Sequence, residues 1–494
     1  MSLIPFGEWT PDQPALGTGS IEALNAIPEA RSYGPFPKFG ANSTVPVVAK
    51  CQGAGMFRSD TGVIGSYCGD ASKLYRLVGT TWTDASKVGG YSTDPAGRWV
   101  FISFGDLVLA TNGVDPIQKI QIDGGTTFAN LGGSPPVCRY LAVTKDYVVA
   151  GWLSSDVTAA QWCATNNPES WPIASGGGDI QPLADTGEVT GVVGGDFFQA
   201  KTERGVHRFD FVGGDIVFQR RQTGFGVGAA IPGTVQGFND RSFFYHGTGF
   251  YQCISGSVPI PIGNERVNKY FLSRLASGGR DFVFSAIDPV SSLYAVGFNT
   301  DGASGYPIKE VLLFKWDAGQ PGRWSHIIDG NAYDIIFSGL SATNVTLEDL
   351  DVYGSLEAVP FPLDSPVWLG QGNQLFGAFS SAHNSGWFNG DNMDATLTTT
   401  KAKLNDGGMA LVRGYRAMLE ATSPPTIAGT VYAQDTLTSV GATNANSSAK
   451  SPNARGLIRA RIKGRYHWAQ ITLSGDWDHA LGIDDLEVYN LGNR

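Results

Sequence analysis

Four cations alternate with small or apolar residues near the end of the chain: Arg459, Arg461, Lys463 and Arg465, separated by Ala460, Ile462 and Gly464. Successive side chains of a strand point to opposite faces, so in a strand all four share one face. A row of like charge is unfavourable without a partner. The partner is DNA phosphate, an acidic neighbour, or else carboxylates of the same domain and solvent. Asp476, Asp478, Asp484 and Asp485 cluster around His479. Their spacing fits no EF-hand loop, and they read as solvated loop carboxylates. The six histidines (207, 246, 326, 383, 467 and 479) are dispersed, with no His-Glu-x-x-His and no Gly-x-Ser-x-Gly. The five cysteines form no Cys-x-x-Cys pair and are odd in number, so neither a zinc site nor a complete disulfide framework is expected. Gly224-Phe225-Gly226-Val227-Gly228 lacks the spacing of a phosphate-cradling loop. No catalytic, cofactor-binding or metal-binding residue is assigned, and the chain reads as a protein without enzymatic activity.

One motif is a turn device. Asp123-Gly124-Gly125-Thr126-Thr127-Phe128 matches the Asp-x-Gly-x-Thr-aromatic core of the sialidase Asp-box, without its leading Ser or Thr. In such a turn the carboxylate bonds local backbone N–H groups and takes no part in catalysis. A sialidase further needs an arginine cluster and a tyrosine nucleophile, neither of which the sequence identifies.

The elements that hold these residues are mainly strands. Trp82, Phe128, Trp171 and Phe218 end successive β-rich runs at steps of 46, 43 and 47 residues. A repeat of about 40–50 residues with several short strands per unit is the mark of a β-propeller blade. Further units end at Trp324 and at Trp387-Phe388, giving six or seven blades across residues 45–390. Residues 243–254 read as a hairpin around Gly247-Thr248-Gly249. Helices are expected at Ser20–Ala30, with Ser20 as N-cap, at Glu265–Leu275 behind Asn264, and near Thr346 and Asp349. Residues 1–44 carry six prolines and read as an extended arm. Its anchors are Phe6, Trp9, Tyr33 and Phe36, set against the chain's own surface or against a neighbouring subunit. From about residue 391 the strands alternate in a different texture, with a long loop at 441–448. This region reads as a β-sandwich-like domain.

Composition agrees with an all-β chain. Of 494 residues 65 are Gly, about double the usual share, which suits many tight turns. Only 16% are charged, against roughly 25% in ordinary soluble chains, which suits surface covered in an assembly. The net charge is −10, which disfavours tight duplex binding, since that needs cations to release phosphate counterions. The scattered cysteines suit a reducing cytosol. No leader peptide and no membrane-spanning segment is expected.

Several stretches carry a resemblance in their order. They are Ile27-Pro28-Glu29-Ala30-Arg31-Ser32-Tyr33; Leu74-Tyr75-Arg76-Leu77 through Thr81-Trp82; Leu109-Ala110-Thr111-Asn112-Gly113; and Gln161-Trp162 with Asn167-Pro168-Glu169-Ser170-Trp171. Propeller-like strands from Val192 to Phe218 and a closing Arg465-Tyr466-His467 follow. Together these resemble the tail hub or nozzle proteins of short-tailed bacteriophages, including those called packaged-DNA stabilisation proteins. The resemblance implies a propeller-plus-sandwich subunit, six copies in a ring below the portal and adaptor, and tail needle or fibre proteins as neighbours. It implies genomic DNA passing through the channel without sequence-specific binding, no cofactor, and a place in the virion tail after assembly in the host cytoplasm. Phe6, Trp9, Tyr33, Phe36, Arg459, Arg461, Lys463 and Arg465 are then the expected subunit contacts. The competing class is a propeller that binds or hydrolyses carbohydrate.

Overall fold

The computed structural model describes residues 4–491 except 15, 17–18, 174, 215, 302–305, 341–373, 406–407, 438–443 and 446–447. The chain is all-β: a seven-bladed propeller fused to a two-sheet sandwich. The first forty-one residues supply β1 (Ile4–Pro5), β2 (Glu22–Leu24), β3 (Ala26–Pro28), β4 (Tyr33–Pro35) and β5 (Pro37–Ala41). Blade 1 is β6 (Gly53–Arg58), β7 (Ile64–Gly69), β8 (Leu74–Val78) and β9 (Thr81–Asp84). Blade 2 is β10 (Val100–Phe104), β11 (Leu107–Thr111), β12 (Gln118–Gln121) and β13 (Ala129–Asn130). Blade 3 is β14 (Cys138–Thr144), β15 (Tyr147–Leu153), β16 (Asp156–Trp162) and β17 (Asp179–Pro182). Blade 4 is β18 (Val189–Val193), β19 (Phe198–Thr202), β20 (Gly205–Phe211) and β21 (Phe218–Phe225). Blade 5 is β22 (Ile231–Phe238), β23 (Arg241–His246), β24 (Gly249–Ile254) and β25 (Ile260–Pro261). Blade 6 is β26 (Phe284–Asp288), β27 (Leu293–Phe298), β28 (Glu310–Lys315) and β29 (Arg323–Ile327). Blade 7 is β30 (Tyr333–Leu340), β31 (Gln374–Ser380) and β32 (Ser385–Asn392), completed by β5.

Each blade is an antiparallel meander, and the innermost strands β6, β10, β14, β18, β22, β26 and β30 lie side by side until β30 meets β6. The ring closes through β5, whose Phe39 and Gly40 pair with Phe388 and Trp387 of β32. The periodic aromatics show why the blades stack. Trp82, 5% exposed, packs on Phe379 of blade 7 at 5.5 Å and donates its indole N–H to Ser385 Oγ at 3.0 Å. Phe128 of blade 2 packs on Tyr67 of blade 1, and Phe218 of blade 4 on Trp162 of blade 3. Trp324 of blade 6 packs on Phe250 and bonds the Ile262 carbonyl, both in or beside blade 5. Each of these rings therefore seals its own blade against the preceding one.

The sandwich adds β33 (Ala395–Thr398), β34 (Ala402–Lys403), β35 (Ala410–Glu420), β36 (Thr426–Gln434), β37 (Asn444–Ala445), β38 (Leu457–Gly464), β39 (Tyr466–Ser474) and β40 (His479–Asn490). One sheet runs β3-β4-β40-β35-β38, with β1 beside β40. The other is not separate from the propeller. It continues blade 6 as β29-β2-β33-β39-β36-β37, where β2 lies parallel to β29 and antiparallel to β33. Val412, Tyr415, Ile458 and Ile462 of the first sheet meet Val431, Ala469, Ile471 and Leu473 of the second in one core that also holds residues of blades 5 and 6.

Four sequence expectations differ. Ser20–Ala30 is not a helix but β2 and β3, joined at Asn25 with φ 57°. Pairing with β29, β33 and β4 overrides local propensity there, and Ala23 and Ala26 are fully buried. The helix expected from Glu265 is a single short one, α1 (Asn268–Arg274), since Glu265 has φ 54°. Its first N–H groups are capped from the arm: Asp12 accepts from Lys269 N at 2.7 Å and Tyr270 N at 2.8 Å. The Asp123 carboxylate accepts from the Thr61 hydroxyl at 3.4 Å, so local turn-capping of the expected kind is performed elsewhere. Asp70 accepts from Ser72 N and Lys73 N, and Asn112 from Val114 N and Asp115 N. The long loop expected at 441–448 contains the two-residue strand β37. The capping pair Thr346 and Asp349 lies outside the described residues.

Trp82→Ala removes the ring that seals blade 1 on blade 7. It is expected to cost about 3–5 kcal/mol in urea unfolding. A loss under about 1 kcal/mol would show that the ring is not part of a packed core.

Candidate functional site

Three places concentrate polar chemistry: the propeller's central cavity, the seam between propeller and sandwich, and the outer face of the sandwich.

The cavity is enclosed by the seven innermost strands and has a volume of about 600 Å³. This is the size of a small-molecule site. Val100, Ile102, Tyr140, Val192 and Phe284 line it, and Arg98 is the one charged lining residue. The Arg98 guanidinium donates to the carbonyls of Asp281 and Val283 and stacks on Phe284 at 4.2 Å. Burial lowers it to about 10. Beside it Lys50 lies over the rings of Phe282 and Tyr306 and donates to the Pro95 carbonyl. Burial is again the main cause that brings it down to about 8. Blade 7 meets blade 1 at Asp334, which is buried. Its carboxylate accepts from Cys51 N at 2.9 Å and the Tyr306 hydroxyl at 2.5 Å, and pairs with His383 Nδ1 at 2.6 Å. The Asp334–His383 pair and the Cys51 N–H bond join blade 7 to blade 1 where the ring closes.

The seam is built around His326 on β29, 3% exposed. Its Nε2 meets Glu22 Oε1 of β2 at 2.5 Å and its Nδ1 meets Glu310 Oε1 of β28 at 3.1 Å. Trp9 stacks on the imidazole at 4.4 Å, 2° from parallel. Tyr270 and Arg274 of α1 donate to the two oxygens of Glu310, each at 2.7 Å. Burial pushes Glu310 up, but the bonds from His326, Tyr270 and Arg274 outweigh it and hold the carboxyl below its ordinary 4.5. Burial likewise pushes His326 down, and the two carboxylates outweigh it, so the imidazole stays charged above its ordinary 6.5. Sequence reading missed this cluster because its members lie far apart in the chain. The isolated Glu and His residues carry no spacing signal.

On the sandwich, β38 alternates as expected. Ile458, Ala460 and Ile462 are buried, and Arg459, Arg461, Lys463 and Arg465 are exposed together. Arg459 pairs with Glu487 of β40 at 3.3 Å, and Arg416 of β35 with Asp485 at 2.9 Å. Among the described residues Arg461, Lys463 and Arg465 make no ion pair. The other expected contact residues lie elsewhere. Phe6, Trp9, Tyr33 and Phe36 are at most 2% exposed within this one chain. Tyr33 donates to the Gly7 carbonyl and receives the Arg323 guanidinium over its ring, while Phe36 packs on Phe376 and Phe388. Strand pairing draws the arm into the chain's own core, which corrects the expectation that these four rings meet a neighbouring subunit.

No protein family matches the sequence, and no curated protein does. Solved structures similar in arrangement include a chain of a mitotic checkpoint complex. It has 9% identity and a TM-score of 0.40, covering 72% of this chain and 92% of that one. The WD40 domain of Toxoplasma gondii coronin has 8% identity and a TM-score of 0.40, covering 74% and 87%. The WD40 domain of Neurospora crassa Pan2 has 9% identity and a TM-score of 0.36, covering 69% and 88%.

The pH dependence of the seam follows from its two shifts. The raised His326 contributes stability that is full below 6.5 and is lost as pH rises through its folded value. The lowered Glu310 contributes stability that is full above 4.5 and is lost as pH falls through its folded value. The seam is therefore strongest between 4.5 and 6.5. Melting temperature is expected to fall on the alkaline side of that window, with the slope flattened in His326→Gln. An equal slope in that variant would assign the pH dependence to other groups.

Proposed function

We propose that this chain is a structural subunit of a bacteriophage tail, a hub or nozzle protein that forms a ring, most simply a hexamer, below a portal and adaptor. The observation that carries the reading is the sheet that runs unbroken from blade 6 through β2 into the sandwich. It makes propeller and sandwich one hydrogen-bonded body, as a load-bearing ring segment requires. The exposed cations of β38, on a chain of net charge −10, supply a directional surface to such a body. The order of sequence elements described above supports the same reading. In this reading the DNA path runs between subunits, because a cavity of about 600 Å³ within a propeller is the size of a small-molecule site and not of a duplex. The acidic net charge favours sliding over adhesion along that path. Needle or fibre proteins would meet the far side of the ring. A second reading, a propeller that binds or hydrolyses a carbohydrate, is favoured by the small-molecule size of the cavity with Arg98 in its wall.

Mass and symmetry of the particle separate the two. A ring of six copies within purified virions is expected, with the isolated chain either monomeric or annular. Absence of the chain from purified particles would end the tail reading. Saturable sugar binding by a monomer, abolished by Arg98→Gln, would establish the second.

A further inference from the structure

The sandwich carries two separated charge poles. The first is β38, the end strand of its sheet, with Arg461, Lys463 and Arg465 unpaired among the described residues. The second is at the other end of β35. Asp478 N donates to the Glu420 carbonyl at 2.8 Å, Thr422 donates to the Asp478 carboxylate, and Asn392 donates to the Gly475 carbonyl. These bonds gather Asp391, Asp394, Glu420, Asp476 and Asp478, all exposed, at one tip. None of the five forms an ion pair among the described residues, and Lys38 on neighbouring β5 pairs with none of them. At the centre of this tip Trp477 is 1% exposed and its indole N–H has no acceptor among the described residues.

The poles do not neutralise each other within one chain. β38 is registered to residues 410–416 of β35, while Glu420 pairs with His479 at the tip. At about 3.4 Å per residue the cations lie roughly 20–34 Å from the carboxylates. That is several times the ~8 Å screening length at physiological salt.

We propose that the basic edge strand β38 docks on the acidic tip formed by the β35–β36 and β39–β40 turns of a second copy of this chain, head to tail. The inference rests on the ring reading and names its contact. Two different patches on one subunit make a heterologous interface, which closes into a ring when the rotation allows. Complementary charge sets register and suppresses wrong partners more than it adds affinity. β38 ends its sheet among the described residues, and the exposed Tyr489 at 49% and Met418 at 38% give the contact an apolar component.

The test is a charge swap in the full chain, read as assembled fraction by native mass measurement, from particles and from the chain alone. Circular dichroism and melting verify the fold. Arg461→Glu with Lys463→Glu, and separately Asp476→Lys with Asp478→Lys, are each expected to lower the assembled fraction at least about tenfold, since each juxtaposes like charges. The four changes combined return opposite charge to the four swapped positions, with Arg465, Asp391, Asp394 and Glu420 unchanged, and are expected to recover assembly well above either pair alone. Normal assembly of either pair, or a folded fourfold variant that fails to assemble, overturns the contact while leaving the ring. A wild-type chain that forms no ring in particles or alone removes the ring reading and this contact together. Binding of a 20-base-pair duplex that disappears in Arg461→Glu/Lys463→Glu, with assembly intact, assigns the strand to DNA and also overturns the proposal.

Discussion

Three short residues, Glu22, Ala23 and Leu24, hold the molecule together. Among the described residues they form the one strand that pairs with blade 6 on one side and with the sandwich on the other. A strand only three residues long has few ladder bonds, so side chains must fix it. Glu22 reaches His326 Nε2 at the ring edge, and Trp9 stacks on the face of the imidazole. A buried charge is costly unless paired and hydrogen-bonded. Here the positive imidazole has a carboxylate at each nitrogen, and Glu310 has a donor at each oxygen. Removing one member would leave the rest as uncompensated buried charge, which is why the cluster specifies one arrangement of arm, helix and blade.

The two ends of the arm act on different closures. β2 welds the sandwich to blade 6, whereas β5 completes blade 7 and so the ring. The latch at Asp334 joins blades 7 and 1 independently, through the Cys51 backbone and His383. The propeller is thus closed both by backbone pairing and by a buried carboxylate. The sandwich, fixed to the rim of one blade, presents its charged face outward.

Blade architecture was legible because it repeats. Trp82, Phe128, Trp171 and Phe218 recur at steps of 43 to 47 residues, and each sits where a blade meets its predecessor or its own outer edge. The alternation at 459–465 was legible because a strand with one buried face writes itself as period two. The arm was not. Ser20 to Ala30 contains good helix formers, and nothing local announces that Leu24 lies beside His326 or that Thr396 lies opposite it. The seam cluster shares this limit: its partners are about 300 residues apart in sequence, and pairwise chemistry at that range leaves no local pattern. The four arm aromatics were correctly singled out as anchors, but sequence could not say that their sockets belong to the same chain.

The placement of β5 also orders events in time. Its Phe39 and Gly40 leave the ribosome before their partners Phe388 and Trp387, which follow nearly 350 residues later. At about 5–20 residues per second that interval is roughly 20–70 s. Throughout it the growing chain carries an unclosed ring and an unmatched edge, the form most open to pairing with a neighbour on the same message. A ring stitched by two segments so far apart closes only after the later one has been made. Ring closure therefore depends on residues 37–41 being kept from the edges of other copies while synthesis continues.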